Sequence, residues 1–247
     1  RTMGCPSSSK PTGTVAFKQT NNNLEFSGIA VEGVGATTDM LTANLSFAAM
    51  REDKRGRWIL STGLTASPGE FNSRSTRAIY NDTRLDANPF FVTWQIGAQR
   101  ITRLTPTLTS TIRTGFQLAS ANLMPSEQFS LGGLSSVRGY EERILSGDGG
   151  YAVTHELQHK WPTIKLPGKL PVLELAGVAF WDYGRSIMKH PIRGQRKSDY
   201  IASVGVGLRA SIANNLSGSV DIARQLEEVE VEGAPRHAVH VKLTLAY

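Results

Sequence analysis

Apolar and polar residues alternate along much of this chain. The alternation is clear in six segments, which lie near positions 41–47, 58–65, 90–99, 108–118, 173–182 and 239–247. In the first of them, Leu41, Leu45 and Phe47 stand on one side, and Thr42 and Ser46 stand on the other. Because successive side chains of a β-strand point to opposite faces of the sheet, this pattern predicts strands with one apolar and one polar face.

The lengths of these segments and of their connections favour a membrane barrel over a soluble β-sandwich, the alternative all-β fold. Several segments extend over roughly 10 to 14 residues, which suits the ~9–11 residues that a tilted strand needs to cross a bilayer. Short connections follow Met50, Arg100, Trp161 and Ile212, and longer ones follow Ala66, Leu123, Gly184 and Gln225. Short turns at one end and long loops at the other are typical of outer-membrane barrels. Aromatic residues near the strand ends suit the girdles at membrane interfaces, namely Trp58, Tyr151, Trp161, Trp181, Tyr200 and Tyr247.

The predicted fold is therefore all-β, a transmembrane antiparallel β-barrel over positions 13–247 that follows a disordered or linker segment at positions 1–12. With weaker candidates near Thr14–Thr20 and Leu24–Val31, alternation gives about eleven strands. An open sheet edge cannot face lipid, because its amides would lack hydrogen-bond partners there. The odd number therefore predicts further strands before this segment. The segment Arg1–Lys10 has no apolar core of a signal peptide and does not begin with methionine, which predicts a processed chain or a fragment.

Composition changes this picture little. The chain is 40% hydrophobic and 19% charged, with a net charge of +6, and no stretch approaches the ~20 consecutive apolar residues of a membrane-spanning helix. Positive charge is concentrated in predicted connections, near positions 51–57, 160–169 and 189–197. These runs lack the interleaved aromatic residues of a nucleic-acid surface, so no nucleic-acid partner is predicted. The lone Cys5 cannot form an internal disulfide.

The longest predicted connection is the segment 122–148. It contains Gly132-Gly133 and, shortly after, Val137-Arg138-Gly139-Tyr140. Glycines permit tight turns, and a long loop with its own packing is usually functional rather than a simple connection. On these residues alone, an ordinary ordered external loop is the alternative interpretation.

This loop resembles the lumen-folded loop of the outer-membrane protein-translocating barrels. Within that superfamily the sequence is most similar to the two-partner secretion transporters, the haemolysin and filamentous haemagglutinin transporter family. Supporting segments follow in order: Gly150 to Leu157, Phe180-Trp181-Asp182-Tyr183-Gly184, Gly205-Val206-Gly207-Leu208-Arg209, and the aromatic end at Tyr247. The ordered set, rather than any one tetrapeptide, carries the resemblance, which is dense from about Phe129 onward and thin before Phe90.

The resemblance implies a barrel of sixteen strands with the loop 122–148 folded into its lumen. It also implies export of a partner exoprotein across the bacterial outer membrane, contact with outer-membrane lipid, and the barrel-assembly machinery as a partner during biogenesis. The family's two periplasmic substrate-binding domains and about five earlier strands have no counterpart in this sequence.

The resemblance further implies that the loop arginine, here Arg138, pairs with an acidic residue on the inner wall. Asp182 is the expected partner, and alternation independently places it on the inward face. The next strand offers no second carboxylate, so Glu156 and Glu174 are the secondary candidates, and Arg209 is a further lumen candidate. Because an arginine in a confined lumen without a carboxylate would be costly, a pair is expected.

The segment His155-Glu156-Leu157-Gln158-His159 spells the zinc-protease pattern H-E-x-x-H. That chemistry needs both histidines one helical turn apart. Here the surrounding residues alternate as a strand, on which residues four apart are separated by about 13 Å. Neither a metal site nor any other cofactor or catalytic residue is predicted.

The sequence is therefore interpreted as a transporter without enzymatic activity that passes an exoprotein through its lumen. One alternative within the superfamily is an insertase that assembles other outer-membrane proteins. A passive porin-like channel is the alternative from another class, and a zinc hydrolase is rejected on the strand geometry above.

Overall fold

The computed structural model of the chain describes residues 7–21, 25–26, 29–30, 37–165, 172–212, 216–228 and 236–245. The strands are β1 (Ser7–Asn21), β2 (Glu25–Phe26), β3 (Ile29–Ala30), β4 (Thr37–Asp53), β5 (Gly56–Pro68), β6 (Phe90–Arg103), β7 (Leu108–Ala119), β8 (Phe129–Leu131), β9 (Leu145–Gly147), β10 (Gly149–Lys160), β11 (Leu173–Ile187), β12 (Ser198–Ile212), β13 (Leu216–Gln225) and β14 (His237–Leu245). One short α-helix, α1 (Arg77–Thr83), and a 3-10 turn, Pro125–Glu127, complete the elements.

Ten of these strands form one antiparallel sheet in the order β1-β4-β5-β6-β7-β10-β11-β12-β13-β14. Each long strand pairs with the next long strand along the chain, which is the up-and-down order that short turns produce. The pairs β2–β3 and β8–β9 form two small separate hairpins. The predicted all-β, antiparallel architecture is thus confirmed. Among the described residues, no helix is long and apolar enough to cross a membrane.

The two faces of the sheet have the reverse of a soluble protein's polarity. On one face, here called the outer face, apolar side chains are exposed, as at Val206 (59%) and Leu243 (74%). On the other, here called the inner face, carboxylates are buried, as at Asp182 and Asp221. A soluble β-sandwich would bury its apolar face and expose its polar one. Apolar residues outside and polar residues inside are instead the pattern of a barrel that spans a membrane.

The structure differs from the sequence prediction in the number of strands and in two boundaries. Within the described residues the large sheet has ten strands rather than about eleven. The candidate strand Leu24–Val31 lies partly outside the described residues, and its described parts form only the β2–β3 hairpin. Strand β1 begins at Ser7, before the predicted start at position 13, because this stretch pairs with β4 in continuous register. The connection after Trp161, predicted to be short, extends to the start of β11 at Leu173.

Long connections meet at one end of the sheet, here called the loop end. They join β1 to β4, β5 to β6, β7 to β10, β11 to β12 and β13 to β14. An apolar cluster lies among them: Met40, Tyr80, Ala87, Phe91, Ala121, Leu123 and Met124. The hydroxyl of Tyr80 donates to the carbonyl of Asp39 at 3.0 Å, and burial raises the pKa of Tyr80 to about 12. The described part of the loop end around α1 is therefore packed.

Candidate functional site

The connection between β7 and β10 folds back as a hairpin against the inner face. Its stem is the pair β8–β9, which contacts β10, β11 and β12. Beyond the stem, Val137 and Tyr140 pack with Leu131 and Ile201 in a buried apolar cluster. The structure thus places the four residues Val137 to Tyr140 against the inner wall, where the resemblance had implied a lumen-folded loop.

A single buried carboxylate holds the base of this hairpin to two other external connections. Asp148 accepts hydrogen bonds from the guanidinium of Arg84, at 2.5 and 3.1 Å, and from the backbone N–H of Leu123 and Lys189, both at 2.8 Å. Asp148 is fully buried. A bidentate arginine and two amides satisfy both of its oxygens, so the charge is stabilised without solvent. The loop that bears α1, the inner hairpin and the β11–β12 loop are therefore fixed at one point.

The tip of the hairpin is held by hydrogen bonds to the backbone of Gly139 and by hydrogen bonds from the Tyr140 hydroxyl. The N–H of Gly139 donates to Nε2 of His240 at 3.1 Å, and Nε2 of Gln225 donates to the carbonyl of Gly139 at 2.6 Å. The hydroxyl of Tyr140 lies 2.8 Å from the carbonyl of Ala202 and 2.7 Å from that of Glu227. Burial is the main cause that raises the pKa of Tyr140.

Arg138 is the centre of a buried ion cluster. Its Nε and Nη2 donate to the two oxygens of Asp182 at 2.8 and 2.9 Å, and its backbone N–H donates to Asp182 at 3.1 Å. Its Nη1 lies 2.9 Å from Glu156 and 3.5 Å from Asp221. The guanidinium also stacks over the ring of Phe180, with Cζ 3.4 Å from the ring centroid. Arg138 itself is 4% exposed, so this cluster is nearly dry.

Arg209 completes the cluster from the inner face of β12. It forms a two-pronged pair with Asp221, at 2.5 and 3.0 Å, and lies 3.6 Å from Glu156. Two guanidinium groups thus face three carboxylates. Burial by itself lowers the pKa of Arg138, but its hydrogen bonds and charge interactions with Asp182 and Glu156 outweigh burial and raise that pKa. Arg138 is therefore charged at any physiological pH.

Two glycines of β12 provide the space for this cluster, because they have no side chains. In register, Gly205 lies opposite Phe180 of β11, and Gly207 lies opposite Asp221 of β13. A Cβ at Gly205 would collide with the Phe180 ring, and one at Gly207 would collide with the Asp221 carboxylate. The Phe180 ring and the Asp221 carboxylate therefore lie over the backbone of β12 at these two glycines, and both contact Arg138 there. This geometry explains the glycine alternation in Gly205-Val206-Gly207.

The structure brings together most of the residues singled out from the sequence, but not all. Arg138, Asp182, Glu156 and Arg209 share the cluster. Glu174 lies on the same face of β11 eight residues before Asp182, a rise of about 26 Å, and it is exposed. There it lines a cavity of about 420 Å³ near the short-turn end, with Lys160 and Lys242 among its walls. Glu174 is therefore not a partner of Arg138.

Asp221 is the residue that sequence reasoning missed. The search for a second carboxylate stopped at the strand after Asp182, whereas Asp221 lies one strand further on. The inward glycine at 207 is visible in the sequence, but its alignment with position 221, which lets the carboxylate reach across β12, is not. His240 and Gln225, which hold Gly139, carried no comparable signal.

The H-E-x-x-H segment lies in β10, as its alternation predicted. His155 on the outer side lies 3.0 Å from the Ser110 hydroxyl, while Glu156 faces the opposite way and binds Arg138. Among the described residues, no group of three or more His, Cys, Asp or Glu is placed to hold a metal ion.

The sequence as a whole was compared with protein families. The model of the haemolysin secretion/activation protein family ShlB/FhaC/HecB matches residues 8–210. The chain belongs to this family. The resemblance to two-partner secretion transporters stated from the loop motif is therefore confirmed, and the matched region includes the hairpin, Asp182 and Gly205.

Individual members agree with this assignment. The chain is 30% identical over 125 residues to the heme/hemopexin transporter protein HuxB of Haemophilus influenzae, a match that covers 49% of this chain and 21% of HuxB. The fold is similar to CdiB from Escherichia coli, with a TM-score of 0.77, 18% identity, and coverage of 98% of this chain and 42% of CdiB. CdiB from Acinetobacter baumannii gives a TM-score of 0.63 at 19% identity, covering 98% of this chain and 39% of that protein.

The likeness to the two CdiB structures concerns the fold, and it confirms the transmembrane barrel. Members of the family are outer-membrane transporters of partner exoproteins. The match spans about a fifth of the length of HuxB, and the chain spans about two fifths of each CdiB.

Proposed function

We propose that this chain is the barrel part of an outer-membrane transporter that exports one partner exoprotein as an unfolded polypeptide. The observation that carries the proposal is the inner hairpin, whose Arg138 is buried among Asp182, Glu156 and Asp221 on the inner face. A passive pore has no need of a nearly dry ion cluster that fixes a loop across its wall. Family membership supports the same function.

The polar inner face suits the passage of an extended chain. An unfolded polypeptide exposes many apolar side chains, which would adhere to an apolar wall. The inner residues from β4 to β7 are instead small or polar, for example Ser46, Gly97, Gly115 and Gln117. A wall of this kind offers few attachment points, and folding of the exoprotein outside would supply direction to the movement.

The remaining parts of the proposal concern location and chemistry. The exposed apolar outer face, with Val206 and Leu243, would contact outer-membrane lipid, and the barrel-assembly machinery would insert it there. The chain would perform transport without catalysis. Glu156, the only acid of the H-E-x-x-H segment, is committed to two arginines.

The function is tested by expressing the whole gene that encodes this chain together with its partner exoprotein, and then the exoprotein with the transporter gene disrupted. Exoprotein in the medium is expected only in the first case, while a periplasmic β-lactamase stays in the cells in both. Equal export in both strains contradicts the proposal. If disruption instead lowers the amounts of other outer-membrane proteins, the insertase is correct, and if it lowers only the uptake of small solutes, the porin is correct.

A further inference from the structure

Three tyrosines on the outer face form a continuous stack at the loop end of β10, β11 and β12. The ring of Tyr183 lies 5.9 Å from that of Tyr151 and 6.0 Å from that of Tyr200, at interplanar angles of 29° and 22°. Trp181 stacks on Tyr183 from below, at 6.1 Å. Tyrosine and tryptophan collect at membrane–water interfaces, where the ring enters the apolar region and the polar group meets the headgroups. The stack therefore marks the level of the lipid headgroups.

Arg185 lies beside this stack, two residues after Tyr183 on the same face of β11. In register it stands opposite Tyr151 of β10 and opposite Tyr200 of β12. It is exposed on the outer face, and its Nη2 donates to the Ser198 hydroxyl at 2.7 Å. A guanidinium has five N–H donors, so this hydrogen bond uses one of them. Tyr151, Tyr183, Tyr200 and Arg185 are called here the tyrosine–arginine patch.

The loop that continues upward from this patch is strongly basic. Between β11 and β12, positions 188–197 contain Lys189, Arg193, Arg196 and Lys197 but no aspartate or glutamate. These four residues are exposed. Arg196 pairs with Asp199 of β12 at 3.4 Å. The root of the loop is fixed, since the Lys189 N–H is bound to the buried Asp148. The first residues of this basic loop are therefore fixed at the loop end of the sheet, next to the strands that carry the tyrosines.

We propose that the tyrosine–arginine patch and the basic β11–β12 loop bind the phosphate groups of a glycolipid in the outer leaflet. Guanidinium and ammonium groups pair with phosphate through charge-assisted hydrogen bonds, and basic clusters next to membrane-spanning segments bind anionic headgroups. The stacked rings would lie along the acyl chains and sugar of the same lipid. This proposal rests on the proposed location of the barrel in the outer membrane.

The position of the patch favours a lipid over the exoprotein as its partner. Arg185 and Tyr183 lie on the outer face of β11. Asp182 of the same strand lies on the inner face, where it binds the inner hairpin. A polypeptide in the lumen would meet the inner face. The outer face at headgroup level is the side that meets lipid in a membrane barrel.

The test uses the purified whole protein in detergent, titrated with an acylated glucosamine disaccharide that carries two phosphates and with the same lipid after removal of the phosphates. The variant is R185Q/R193Q, and the matched control is K54Q/R57Q, which removes two exposed charges at the short-turn end. A basic residue beside an anionic lipid surface is worth about a fivefold change in affinity, so the variant should raise the Kd of the phosphorylated lipid about 25-fold. The control should keep the Kd of the unaltered protein.

Three results would overturn the proposal. In the first, the unaltered protein binds both lipids equally, and in the second, R185Q/R193Q keeps the original Kd. In the third, the control weakens binding as much as the variant does. A loss of export by R185Q/R193Q with unchanged lipid binding would assign the patch to the exoprotein instead. Cell fractionation reports separately on the outer-membrane location, so failure there is distinguishable from failure to bind lipid.

Discussion

Export of the exoprotein is expected to fall below about a tenth of its normal level when Arg138 is replaced by alanine. Asp182 is fully buried, and it would keep only the backbone N–H of residue 138 as a partner from the hairpin. Removal of one partner from a buried ion pair costs on the order of 3–5 kcal/mol, because the other charge stays behind unpaired. The hairpin would then leave the inner wall. The measurement is the amount of exoprotein in the medium relative to the amount of barrel in the outer membrane.

The matched control for this prediction is Arg143→Ala in the same hairpin. Arg143 is exposed, and among the residues that the structure describes its guanidinium donates only to the carbonyl of Pro125, at 2.9 Å, so its loss should change export little. Normal export by the Arg138 variant with normal barrel levels would mean that the ion cluster is not needed for transport. A barrel that disappears from the membrane would show that the cluster acts in assembly instead.

The substitution Gly205→Val should destabilise the folded barrel without removing any charge of the cluster. The new Cβ would collide with the ring of Phe180, which lies under the Arg138 guanidinium, and with the backbone carbonyl of Ile222. The ring can rotate away, but the carbonyl belongs to the pairing between β12 and β13 and cannot. Overpacking of this kind costs roughly 1–3 kcal/mol or more.

Gly115→Val is the control for this steric argument. Gly115 also lies in a strand of the sheet and lines the inner wall, yet a Cβ there would meet no atom within 4 Å. Valine suits strands in general, so propensity alone predicts no loss in either variant. The measurement is the temperature at which the folded barrel converts to the unfolded band on a gel. Equal temperatures for both variants would contradict the close packing over Gly205.

The sequence was sufficient for those features that depend on local pattern. A period of two is a property of each strand by itself, so the strands near 58–65, 90–99 and 173–182 were predicted where β5, β6 and β11 lie. The same alternation put Asp182 on the inner face, and the loop motif then supplied Arg138 as its partner. Both inferences needed only the identity of neighbouring residues and a known family pattern.

Features that depend on the register between strands could not be predicted in the same way. Asp221 reaches Arg138 only because Gly207, on the strand between, lacks a side chain, and the alignment of 207 with 221 is not readable from one sequence. Asp148 and Arg84 are 64 positions apart, and their pairing depends on how two external loops fold over each other. The error on Glu174 has a different cause, because eight residues along one strand separate it from Asp182 by about 26 Å, a distance that their positions in the sequence already imply.

The hairpin lies inside the barrel of the assembled protein, and a disulfide test addresses this position most directly. Val137 and Gly184 are suited to the test, because a Cβ at position 184 would lie 3.0 Å from Cγ2 of Val137. The variant V137C/G184C, made together with C5S, should form an internal disulfide in intact outer membranes. Its counterpart V137C/G177C, with the second cysteine on the opposite face of the same strand, should form none. Efficient cross-linking of the first pair alone is the result that this account predicts; its absence, or equal cross-linking of both pairs, would contradict the account.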